Sequence, residues 1–436
     1  MTGEASDAGL PCPVASLVLS PVQAAARPPT LGARSERLLV PLVALSLWMP
    51  ALSLPVSRRF VQLSDVVGLI AAFVLIPRLA NLRTWQLAPV WLMYLSWAWA
   101  LLAGPGGERS LDVAIFYATL LGPFLLLFAL GLGTSEGITG FMRWFAIGGL
   151  LNCAVAAVQG VLGSAALDLR NNTNFSLPPQ LQRVYGLFPE ASGLSIMLQV
   201  LVALLIANEL TANPARLAPL LRRPLIVAAV VCLGLTRSSS VFVTLPLLVV
   251  LAVVKAPTRP SRKLLATVVA LAVVPLLAAV YVSGAYGQRI EQGSGFRSAA
   301  GRYSTVSAAV DAALRDPIAG VGLGENTQVT AAAALRAQGL GTGAIQVSDG
   351  INSVTATRLY EEGIFAFAGT ALALYGLARL LARRLGPLDH LMFVVLAGSF
   401  LAATVVSGYR GFYFTWLWYL TPVAVGWVAR RPAVAA

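Results

Sequence analysis

Three arginines stand in segments whose residue types could grip an anion. Arg183 opens RVYGLFPEASGLS (183–195), Arg237 lies in GLTRSSS (234–240), and Arg302 lies in GRYSTVSAAVDAALRDPIAGVGLG (301–324). The first two border long apolar runs, and the third follows one that ends near residue 283. An arginine at bilayer depth costs roughly 2.5–3.5 kcal/mol on insertion scales, so one placed there ordinarily has a partner or a ligand. Each guanidinium can donate two parallel hydrogen bonds to phosphate oxygens, and several converging on one cavity would suit a diphosphate. The alternative is that each arginine snorkels to the interface or pairs with a nearby acid. Glu190 follows Arg183 at the entrance of an apolar run. A carboxylate that loses water at such an entrance gains basicity, which makes Glu190 a candidate general base. It could equally be an interface glutamate paired with an arginine. Glu361 and Glu362 are further carboxylates to weigh for that role. In NSVTATRLYEEG (352–363), Arg358 sits between Asn352 and Glu361, where an ion pair or a glycan contact would fit.

Other chemistry finds less support. GVGLG (320–324) neither follows a strand nor precedes GKS or GKT, so a tight glycine turn ending a helix suits it better than a phosphate loop. Cys12, Cys153 and Cys232 form an odd, dispersed set, which argues against a disulfide framework and a zinc site. The single histidine, His390, stands beside Arg383 and Arg384 and is expected to be a solvated interface residue; it cannot build a histidine-ligated metal centre. The formal charge of +13 comes from basic residues scattered between apolar runs. They read as span-flanking anchors and not as a nucleic-acid surface.

What must position these residues is a membrane bundle. Hydrophobic residues make up 57% of the chain and charged residues 11%, against roughly a quarter charged in a soluble domain. A crossing helix needs about 20 mainly apolar residues. Candidate spans lie near 38–56, 64–80, 87–103, 111–131, 141–163, 191–208, 224–236, 239–254, 264–283, 363–381, 391–407 and 411–429. The expected fold is therefore an all-α polytopic membrane protein of about twelve transmembrane helices. The seventh and eighth spans are short, with Arg237 between them, and could form a re-entrant pair lining a protein cavity. With the N-terminus inside, most of the 31 Lys and Arg residues fall on the cytoplasmic side, and both termini are cytoplasmic. Arg58 and Arg59 run against that trend.

The expected organisation is a disordered cytoplasmic tail at 1–37, spans one to nine over 38–283 with an external loop at 164–190, a long external loop at 284–362, and spans ten to twelve over 363–430. A loop that long is usually functional. Its stretch 304–315 has helical spacing, with Val306, Ala309, Val310 and Ala313 on one face, as in an amphipathic helix lying over the membrane. The aromatic cluster GFYFTWLWYL (411–420) fits an interfacial belt, or a stacking surface for sugar or isoprenoid.

These segments, taken in order, resemble the signature of O-antigen ligases and Wzy-type polysaccharide polymerases. LRDPIAGVGLG, preceded by GRYS and followed by NSVTATRLYEEG, resembles that family's arginine segment, its D-P-x-x-G-x-G turn and its H-N-S…E-x-G element. GLFPEASGLS resembles G-L-F-x-E-P-S before the sixth span, and GLTRSSS resembles T-x-S-R. The resemblance implies a C-type membrane glycosyltransferase bundle, with its long external loop between spans nine and ten, in a bacterial inner membrane with a periplasmic active face. It implies a donor glycan on undecaprenyl diphosphate, a glycan or lipid A acceptor, surrounding lipid, and assembly partners such as a flippase or a chain-length regulator. It implies no cofactor and no metal. Carried over by position, Arg183, Arg237 and Arg302 would hold the diphosphate and stabilise it as it leaves, with Asn352, Arg358 and Glu362 contacting substrate. Ile351 stands where ligases have histidine. Isoleucine cannot be a base, and that favours a polymerase over a ligase.

Twelve spans would also suit a secondary transporter or flippase. Against that, the long loop is external and lies between spans nine and ten. PRLANLRTWQ after the second span lacks the G-x-x-x-D-x-x-G-R pattern of the major facilitators, and no internal repeat is visible.

Overall fold

The computed structural model describes residues 33–56, 59–63, 66–70, 84–103, 135–169, 183–210, 217–238, 240–257, 260–282, 284, 294–323, 329, 332–333 and 353–401. The described chain is helical apart from one small hairpin. Its helices are α1 (Ala33–Ser46), α2 (Thr84–Ala103), α3 (Ser135–Leu162), α4 (Ala191–Leu210), α5 (Pro219–Leu235), α6 (Val241–Val254), α7 (Arg262–Val282), α8 (Ser294–Arg315), α9 (Val354–Glu362), α10 (Ile364–Ala382) and α11 (Pro387–Leu401). Within α3, α4 and α7, Thr139–Leu162, Ala191–Leu210 and Leu264–Tyr281 are long and apolar enough to cross a bilayer. The expected spans at 111–131 and 411–429, the aromatic cluster, and the tail up to residue 32 lie outside the described residues. The count of about twelve remains an expectation.

The first expected span is shorter than the apolar run suggests. α1 begins at Ala33, inside the stretch expected as tail, and ends at Ser46. The chain then forms an antiparallel hairpin, β1 (Ser53–Val56) with β2 (Arg59–Gln62), Val56 facing Arg59 across its tip. Pro50 and Pro55 explain the change, since neither can donate the N–H that a continuing helix needs.

α4 is the axis of the bundle. Nearly all of its residues are buried, and α3, α5, α6 and α11 pack around it. A helix apolar all round suits a buried core position or a membrane span, and α4 is enclosed by protein. At its C-terminal end, Glu209 pairs with Arg222 and, at 2.9 Å, with Arg223. Asn208 accepts from Arg222 at 3.2 Å. That cluster pins the first turn of α5 to the last turn of α4. At the other end, Gln199 of α4 meets Ser240 and Thr244, where α6 begins. Gln199 lies eight residues into α4, about 12 Å along its axis. α5 and α6 thus form a helical hairpin along α4, and its Arg237 turn lies below the first turns of α4.

His390 departs from expectation. It is fully buried, and its Nε2 lies 2.7 Å from the carbonyl oxygen of Ala252. The last carbonyls of a helix lack partners within it, so the end of α6 draws in the ring from α11.

The stretch expected to form the long external loop contains a second, smaller core, where Ala308 and Ala309 of α8 pack with Ala356 and Tyr360 of α9. α8 is longer than the expected 304–315, and its buried face (Ser304, Thr305, Ala308, Ala309, Ala313) sits against α9. That face is thus packed against protein. Ser353 caps α9, accepting from the N–H of Ala356 at 3.2 Å. The glycine turn after α8 docks on the far end of α9: the N–H of Val321 donates to the Tyr360 carbonyl at 2.8 Å, and that of Gly322 to Glu361 at 3.1 Å. The N–H of Ile364 returns a bond to Pro317 at 2.7 Å.

The two backbones approach so closely that only glycine fits on either side. A Cβ on Gly320 would lie 2.6 Å from the Glu361 carbonyl oxygen, and one on Gly363 would lie 2.6 Å from that of Ile318. Both glycines also hold left-handed φ values, +69° and +60°. Gly363→Ala is therefore expected to destabilise the protein by about 1–3 kcal/mol, read as a lower unfolding midpoint in detergent. An unchanged midpoint would show that this joint does not hold the loop.

Candidate functional site

The segment 183–190 is not helical directly before α4, and because Val184–Phe188 are buried its backbone groups need partners within the protein. Two buried carboxamides of α3 provide them. Gln159 Oε1 accepts from the N–H of Tyr185 at 3.0 Å and of Gly186 at 2.8 Å, while its Nε2 donates to the Gly186 carbonyl at 3.2 Å. Asn152, two turns earlier, accepts from the N–H of Leu187 at 3.0 Å and donates to the carbonyls of Trp48 and Gly148 at 2.9 and 3.2 Å. Gly186 has φ +58°, and a Cβ there would meet Asn152 Oδ1 at 2.7 Å, so the amide's close approach requires glycine. Phe188 packs edge-on against Trp48, which anchors the far side.

Arg183 at the start of this segment donates from Nε to the carbonyl of Thr236 at 2.9 Å. Thr236 is the C-cap of α5 and the residue before Arg237. Two of the three arginines therefore meet at one turn. Arg237 has φ +51°, which costs a non-glycine residue about 1–2 kcal/mol and persists only where the surroundings impose it. Hydroxyls on either side impose it here. Ser238 and Ser240 share a hydrogen bond at 2.9 Å, Gln199 reaches Ser240 at 3.4 Å, and Thr244 donates to Gln199.

Arg302 joins from α8. Burial lowers its pKa from the usual guanidinium range, and the nearby charge of Glu190 acts in the opposite direction. The group still stays charged at any physiological pH. Glu190 stands at the mouth of α4, where its Oε2 accepts from Ser192 at 2.8 Å. The Arg237 turn is thus bonded to Arg183 at the start of the segment, and Glu190 at its end interacts electrostatically with Arg302. All four residues are partly accessible.

The remaining candidates lie elsewhere. Arg358 and Glu362 form a buried two-point ion pair within α9, Nε to Oε1 at 2.9 Å and Nη2 to Oε2 at 2.6 Å. Ser96 of α2 donates to the same carboxylate. The pair binds α9 to α2. Glu361 is also buried. Asn352 and Ile351 lie outside the described residues. Cys153 and Cys232, far apart in sequence, come together inside the bundle, the Cys232 thiol reaching the Cys153 carbonyl at 3.6 Å, and both are free.

Residues 224–349 match the family model of O-antigen ligase. Over that stretch the chain is similar to the O-antigen ligase family. The stretch includes most of the α5–α6 hairpin, with Arg237, and the whole of α8, with Arg302, and it supports the family that the motifs resemble. Arg183 and Glu190 precede it and are joined to it by the Thr236 carbonyl and by the charge on Arg302. No curated protein and no solved structure matches the chain.

Sequence reasoning missed Asn152, Gln159 and Gln199, the amides that contact the segment 183–190 and the hairpin around the Arg237 turn. A signal was present: each is a carboxamide inside an otherwise apolar span, and Asn152 and Gln159 share a helix face at a spacing of seven. The strain at Arg237 can be measured by comparing two variants. Arg237→Gly is expected to be more stable than Arg237→Ala by about 1 kcal/mol, because only glycine takes a left-handed φ freely. Equal unfolding midpoints would mean that the turn relaxes and imposes no such backbone.

Proposed function

We propose that the chain is a membrane glycosyltransferase that polymerises oligosaccharide repeat units carried on undecaprenyl diphosphate into an exopolysaccharide, O-antigen or capsule. The observations carrying this are the junction of Arg183 with the Arg237 turn and the electrostatic interaction of Arg302 with Glu190, which ends the same segment. A guanidinium cluster with a carboxylate at its edge matches the demands of the reaction. The acceptor hydroxyl oxygen bonds to the anomeric carbon while that carbon's bond to the diphosphate breaks. The diphosphate leaves with the electron pair, and the hydroxyl proton goes to Glu190. Donors already aimed at the developing negative charge are commonly the largest catalytic term. Arg358 and Glu362 fix the end of the long loop against α2. Asn352, just before the Ser353 cap, is a candidate glycan contact. In this reading the site faces the periplasm of a bacterial inner membrane and both termini are cytoplasmic.

A second reading is transfer of a finished glycan to a lipid or protein acceptor, and the description of the matched family as O-antigen ligase favours it. Ile351 at the family's histidine position weighs the other way. The two differ only in acceptor, so one variant set tests the chemistry of both. Lysine keeps the charge but loses the paired donors. Arg237→Lys and Arg302→Lys are each expected to slow glycan transfer roughly 100-fold, measured as polymer formed per unit of membrane-inserted protein. Polymer of normal amount and length from both variants, or reporter fusions placing 284–362 in the cytoplasm, would overturn the proposal.

A further inference from the structure

We infer that Gln159 is a positioning residue for the anion site: its carboxamide sets the backbone of 183–190 and so aims Arg183. This rests on the diphosphate reading above. Gln159 is 2% exposed, and both ends of its amide are engaged, two N–H groups on the oxygen and one carbonyl on the nitrogen. Burying a carboxamide in an apolar helix is unfavourable unless it is hydrogen-bonded, and here these three bonds go to one dipeptide, Tyr185–Gly186. Asn152 adds Leu187, so α3 binds three consecutive N–H groups of a single non-helical stretch.

That arrangement goes beyond what joining α3 to α4 needs, since their helical packing already does so. Its geometric consequence appears two residues upstream. With Tyr185 and Gly186 fixed, Arg183 leaves the segment toward the Thr236 carbonyl and reaches it at 2.9 Å. Tyr185 reinforces the same direction, its hydroxyl donating to the Ser164 carbonyl beyond the end of α3. Gln159 touches neither arginine through any of these bonds. Its influence on an anion passes through the backbone it holds.

The test uses the full chain in lipid nanodiscs with undecaprenyl diphosphate itself as the probe. Arg183→Ala is expected to weaken binding by about tenfold to a hundredfold, as loss of charge-assisted hydrogen bonds does. Gln159→Leu should weaken it comparably, and the double variant should bind no worse than the weaker single, because both remove the same interaction. Gln159→Glu, protonated as burial favours, keeps the accepted N–H bonds and can still donate to the Gly186 carbonyl, so it should recover part of the affinity that leucine loses. It also serves, paired with Arg183→Ala, if the leucine variant fails to insert. Losses that add in the double variant, or glutamate no better than leucine, would show that Gln159 supports the fold generally and overturn the inference alone. If the unaltered chain does not bind the probe, or binds it equally well without the Arg183 side chain, the diphosphate reading fails, and this inference with it.

Discussion

Away from water, every backbone N–H and C=O that leaves a helix must find its partner within the protein, and this constraint organises the described structure. Three stretches leave helical geometry in places that matter: 183–190, the turn between α5 and α6, and the glycine turn after α8. Each is satisfied by a different device. The first takes carboxamides from α3, the second hydroxyls and one amide from α4, and the third the terminal carbonyls of α9. Irregular backbone is thus held in a defined shape, and each stretch leads to an arginine or follows one.

The same constraint explains where conformational strain collects. A left-handed arginine is unfavourable, and it survives at 237 because the serine and threonine hydroxyls around it connect to the most enclosed helix in the bundle. The strain and the packing are linked: α4 must be rigid for Gln199 to hold the turn, and it is rigid because its sides are covered. The glycine joint works by different means. There, two left-handed residues lie back to back without side chains, and the proximity of the two backbones ties α8, which carries Arg302, to α9.

Much of this was legible in the sequence, and the limits have physical causes. Apolar runs located α3, α4 and α7 because length and hydropathy depend only on composition. The arginine segments stood out because a charge bordering an apolar run is expensive and therefore rare. The first span was overextended because an apolar count does not see Pro50 and Pro55. His390 was misplaced because a histidine near two arginines looks solvated, and only the packing of α11 on α6 reveals the carbonyl that draws it in. The amides of α3 went unread for a related reason. A glutamine in a span is a faint signal until the segment it binds, 26 residues away in the chain, is seen to lie against it.

α4 separates two kinds of arginine, and the contrast bears on function. At its C-terminal end Arg222 is fully buried against Glu209. A sealed pair of that kind contributes little net stability but defines which helix ends meet. At the other end Arg183, Arg237 and Arg302 are all partly accessible, although each lies on or beside the same tightly packed bundle. If these charges served only to lock helices together, sealing them as Arg222 is sealed would reduce competition from water and salt. Leaving them reachable keeps that competition, and the arrangement is reasonable when the competitor being admitted is the ligand. In the proposed reading, a carrier diphosphate arriving from the lipid would meet an Arg183 guanidinium already oriented by a backbone contact, with less reorganisation left for the moment of transfer.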